Sequence, residues 1–94
     1  MLEGAYQYEL KKKIQRLFPD AIIIKIDDIQ GFPDLLILHK YKWAALEVKR
    51  SENAPHRPNQ DYWVRMLDDM SFAAFIYPEN EGEILNELEQ SLCS

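Results

Sequence analysis

Three side chains in this sequence have the types and spacing for chemistry on a charged oxygen substrate: Asp34, Glu47 and Lys49. Glu47 and Lys49 stand two residues apart in WAALEVKR (43–50), a run apolar enough for a buried strand. Side chains alternate along a strand, so both point to one face while Leu46 and Val48 point to the other. A charged pair on a core strand is costly unless something uses it. Asp34 opens the preceding apolar run, directly after Gly31-Phe32-Pro33. If the two runs form a hairpin about Tyr41-Lys42, residue 34 pairs near residue 49, beside the Glu47/Lys49 face. Two carboxylates and an ammonium then share one corner of a sheet.

Neighbouring carboxylates repel, and each has its pKa raised unless a cation compensates. A hard divalent ion does so. Magnesium takes oxygen ligands, typically one or two carboxylates with water, substrate oxygen or a backbone carbonyl, and Val48 offers that carbonyl. Such an ion lowers the pKa of a bound water and neutralises charge developing on a phosphate. Lys49 beside it would orient the water or stabilise the pentacoordinate state. Taken singly, the residues have plainer explanations: Glu47 and Lys49 as a solvated pair at a strand end, Asp34 as a turn residue after Pro33.

The elements that must position these groups follow from periodicity. Residues 2–18 repeat apolar positions at Leu2, Tyr6, Leu10, Ile14 and Leu17, one stripe of an amphipathic helix that Pro19-Asp20 stops. AIIIKID (21–27) reads as a strand, IQGFP (29–33) as a turn, DLLILHK (34–40) as a second strand and residues 42–50 as a third. SENAPHRPN (51–59) reads as a mobile surface loop. A helix starts at Pro58-Asn59 and runs through Gln60, Trp63, Val64, Leu67 and Met70, with Trp63 in the core. SFAAFIY (71–77) is a fourth strand, and an acidic helix around Ile84, Leu85, Leu88 and Leu92 follows. The order αβββαβα predicts an α+β domain over residues 1–94: a mixed central sheet flanked by helices, antiparallel through its first three strands, with a parallel crossover from the third to the fourth. The third strand, apolar on both faces, belongs in the middle.

Composition sets the limits. Ninety-four residues make one domain, and a core of that size makes pairing with a second copy unsurprising. A single cysteine, Cys93, excludes an intramolecular disulfide framework, and no Cys/His cluster has zinc spacing. No apolar run approaches the roughly 18 residues of a membrane span, and no basic segment precedes an apolar one at the N-terminus, so a soluble protein of the cytoplasm is expected. The net charge of −5 argues against a nucleic-acid partner only superficially, because residues 1–78 balance at 11 acids and 11 bases. Positive charge gathers at Lys11, Lys12, Lys13 and Arg16 and again at Lys49, Arg50, Arg57 and Arg65. Arg50, His56, Arg57 and Lys13 are accordingly candidates for contacting phosphates, with a solvated loop or helix face as the competing explanation.

GFPD (31–34), with LEVK beginning twelve residues after Asp34, resembles the PD-(D/E)xK nuclease signature, and PNQDYWVRML (58–67) resembles the glutamine-bearing helix of its Holliday-junction-resolvase-like and VRR-NUC branches. In length and layout the chain is similar to small stand-alone nucleases of this group from phages and prophages, over Glu3 to about Leu88. No VRR-like basic triplet is present, and the acidic last helix is unusual for a duplex binder. The resemblance implies a restriction-endonuclease-like fold with Asp34 and Glu47 as metal ligands, Lys49 as the catalytic lysine and Gln60 as a further polar group reaching the site. It also implies a glutamate from the first helix. Glu3 falls within the stripe facing the sheet and Glu9 on its margin, so Glu3 is preferred, with Gln7 one turn later as a helper; an ordinary first-turn acid is the alternative for Glu3.

These expectations combine into a magnesium-dependent DNA endonuclease, with manganese able to substitute, acting on branched or duplex DNA as a homodimer and needing no small-molecule cofactor or membrane. Two alternatives keep the fold and drop the chemistry: an inactive nuclease-fold module that binds nucleic acid or protein, and a regulatory partner that uses its acidic last helix.

Overall fold

A computed structural model describes residues 1–93. Its elements are α1 (Glu3–Leu17), β1 (Ile22–Lys25), β2 (Leu35–His39), β3 (Lys42–Val48), α2 (Gln60–Met70), β4 (Phe72–Ile76) and α3 (Glu81–Cys93). This is the expected order, and the four strands form one mixed sheet in the order β1-β2-β3-β4. The β1–β2 and β2–β3 pairs are antiparallel and β3–β4 is parallel, with α2 as the crossover. A dozen or more residues are needed to return a chain for parallel pairing, and the loop plus α2 supply them.

Alternation along β3 sorts the core into two layers. Ala44, Leu46 and Val48 pack with Leu10 and Ile14 of α1 and with Ile84 and Leu88 of α3. Ala45 and Trp43 pack instead with Val64 and Leu67 of α2. Trp63 joins this second layer, its ring edge-on to Phe32 at 5.1 Å between centroids, as expected of a core residue. Both faces of β3 are therefore covered, which is why its sequence reads as a continuous apolar run. Glu47 has the parity of Trp43 and Ala45, so it points into the α2 layer.

One expectation is corrected in the hairpin. His39 pairs with Lys42, so the two-residue turn is Lys40-Tyr41, one position earlier than the Tyr41-Lys42 link. Two-residue hairpins need a positive φ, and Lys40 supplies it at 59°. Leu35 consequently pairs with Leu46, and one further step sets Asp34 opposite Glu47 rather than near residue 49. The side chains keep the face assigned to them, because moving the turn by one residue moves the register by two.

Candidate metal and phosphate site

The corner where β2 begins and β3 ends collects the groups singled out in the sequence. The Val48 backbone N–H donates to Asp34 Oδ2 at 2.8 Å, which ties the aspartate to the end of β3. Glu47 is 2% exposed, Lys49 3% and Gln60 7%. Gln60 is the first residue of α2, and its amide is used at both ends. Oε1 accepts the Arg57 N–H at 2.8 Å, and Nε2 donates to Glu47 Oε2 at 3.1 Å. The other carboxylate oxygen, Glu47 Oε1, is buried and has no hydrogen-bond partner.

A buried carboxylate oxygen that no donor reaches is costly, and a proton held between Glu47 and Asp34 answers that cost. Burial pushes the Glu47 carboxyl up from 4.5 to about 9, and a proton shared with Asp34 and the Asp34 charge push it the same way; Lys49 opposes them, and Glu3 adds a smaller upward push. Without a cation the corner therefore keeps a proton that a divalent ion would displace. Two carboxylates and the Val48 backbone suit a hard ion that retains several waters. Among the described residues no group of three or more His, Cys, Asp or Glu is placed to hold a metal, so an ion at this corner would rely on two carboxylates with water and backbone oxygen completing its shell.

Asp34, Glu47 and Gln60 open onto a cavity of about 280 Å³, whose other walls include Asp27, Gln30, Phe32 and Arg57. Two loops enclose it. Gly31, at φ +79°, lies so close to the loop before α2 that a Cβ there would stand 2.7 Å from both Pro58 O and Asn59 Cβ, and Asn59 itself has φ 72°. A glycine is required for that approach. The loop 51–59 is thus pinned rather than loose: Pro55 O accepts from Lys49 Nζ at 3.0 Å, and Arg57 N–H holds Gln60.

The remaining candidates separate. Glu9 is exposed and pairs with Lys12 at 3.3 Å, whereas the half-buried Glu3 acts on Glu47 through its charge. Gln7 is buried in α1, on the far side of the sheet from α2. Arg50 and Arg57 are exposed, and Arg57 lines the cavity. His56 Nδ1 is hydrogen-bonded with Asp61 Oδ1 at 2.8 Å. Lys13 is not presented to a ligand: its ammonium meets Glu81 Oε2 at 2.6 Å, and Tyr6 Oη donates to Glu81 Oε1 at 2.9 Å, so it fastens α1 to α3. Asp27 and Gln30 also line the cavity, and no local pattern in the sequence marks them.

No family model, curated protein or solved structure matches the chain. No described helix is long and apolar enough to cross a membrane.

Proposed function

We propose that this protein is a metal-dependent endonuclease that hydrolyses phosphodiester bonds in DNA. The observation that carries the proposal is the buried Glu47 carboxylate in the α2 layer opposite Asp34, with an Oε1 that no donor group reaches, at the wall of a cavity that Arg57 also lines. Asp34, Glu47 and the Val48 carbonyl would hold magnesium, or manganese in its place. Bound there, the ion supplies a water of lowered pKa and neutralises charge on the phosphate.

The chain's own residues prepare that corner. Val48 N–H fixes one Asp34 oxygen and Gln60 fixes one Glu47 oxygen, so the remaining carboxylate oxygens face the ligand without losing rotamer freedom on binding. Lys49, buried and anchored by Pro55 O, keeps two of its three ammonium hydrogens for a water or a phosphate oxygen. Arg57 offers a planar guanidinium at the cavity rim, suited to bidentate phosphate contact, with exposed Arg50 as a second cation. One such site cuts one strand, so a homodimer belongs with the proposal.

The test is cleavage of branched, flapped and linear DNA by purified protein in magnesium or manganese. Nicked or cut products that vanish on adding a chelator are expected. Binding of the same DNAs without cleavage in either metal would overturn the nuclease and favour the binding module.

A further inference from the structure

Beyond the carboxylate corner the α2 layer holds a second ordered titratable pair. His56 Nδ1 meets Asp61 Oδ1 at 2.8 Å, and the imidazole lies flat on Phe75, 4.1 Å between ring centroids and 15° from parallel. Phe75 is the β4 residue paired with Glu47 on β3. The ring therefore rests on the immediate neighbour of a proposed metal ligand, on the same face of the sheet. The residues flanking it are tied to the site as well, Pro55 through Lys49 and Arg57 through Gln60.

A carboxylate on Nδ1 fixes the tautomer and stabilises the imidazolium, leaving Nε2–H as the proton to give. A flat aromatic seat fixes the ring plane as well.

We infer that His56 is the general acid of the cleavage, protonating the oxygen that leaves phosphorus while Asp61 holds the opposite nitrogen; this rests on the nuclease function proposed above. Water oxygen bonds to phosphorus as the bond from phosphorus to the bridging oxygen breaks. The electron pair of that bond stays on the departing oxygen, which takes the proton from His56 Nε2. The proton released by the attacking water passes to solvent, and solvent reprotonates Nε2 once product has left.

The experiment compares an ordinary DNA phosphodiester with one in which sulfur replaces the departing bridging oxygen, since a thiolate leaves without a proton. His56→Gln should slow the ordinary substrate by about 10²-fold, the lower end for general acid catalysis. It should cut the sulfur substrate within about twofold of the wild-type rate. Asp61→Asn should show the same substrate dependence with a smaller loss. Equal slowing on both substrates would make His56 a positioning residue and overturn the inference, as would no slowing on either. Wild-type protein that cuts neither substrate would instead remove the nuclease function itself. His56 and Asp61 are both exposed, so neither variant opens the core.

Discussion

Asp34→Asn is expected to lower magnesium-dependent DNA cleavage by about 10³-fold, equivalent to about 4 kcal/mol of transition-state stabilisation. The amide keeps the size of the side chain and can still accept the Val48 N–H, so the corner should remain folded. What is lost is one of the two negative charges proposed to hold a hard cation, and a site built on two carboxylates has no reserve. Lys49→Ala should cause a comparable loss for a different reason. It removes the ammonium proposed to stand beside the phosphate and leaves Pro55 O without its donor, while both carboxylates stay in place. Metal titration separates the two: Asp34→Asn should weaken metal uptake, and Lys49→Ala should leave it measurable. Gel-based cleavage rates check the first effect. Full activity in either variant would remove that residue from the chemistry.

The second large effect is on stability, and its sign follows from Glu47. In the metal-free fold its carboxyl is held at about 9, above its ordinary 4.5. Below 4.5 the group is protonated whether the chain is folded or not. Between 4.5 and 9 the unfolded chain releases the proton and the folded chain keeps it, so stability falls as pH rises through that window. Glu47→Gln removes the titration. The metal-free variant should therefore gain on the wild type as pH rises from 5 to 8, by at least about 1 kcal/mol, read as a midpoint about 4–8 °C higher for a domain this size. Magnesium should reverse the ranking, stabilising the wild type and not the variant, because mass action rewards only the chain that binds. Thermal melts at several pH values, with and without the metal, check both statements. Parallel pH curves for the two proteins would show that Glu47 carries no such strain.

The parts of this fold that were legible in the sequence are those set by period and composition. The α1 stripe through Tyr6, Leu10 and Ile14, the β-branched run of β1 and the doubly apolar β3 each announce their element, and α2 between β3 and β4 permits the parallel pairing that the sheet adopts. The hairpin partner of Asp34 was not legible, because nothing in Lys40-Tyr41-Lys42 marks Lys40 as the residue that adopts a positive φ. The face of Asp34 was still right, since alternation survives a shift of two. Contacts between distant segments were hidden altogether. Lys13 looks like wet helix surface until α3 brings Glu81 to it, and His56 looks like a loop residue until β4 places Phe75 beneath it. Asp27 lines the same cavity as Gly31, whose close approach to Asn59 no local pattern announces.

The most direct measurement is a crystal structure of the protein grown with manganese, with anomalous scattering used to place the ion. The predicted result is one peak at about 2.0–2.2 Å from carboxylate oxygens of both Asp34 and Glu47. A map with no peak at that corner, or with manganese bound only elsewhere, would contradict the assignment of the two carboxylates as a metal site.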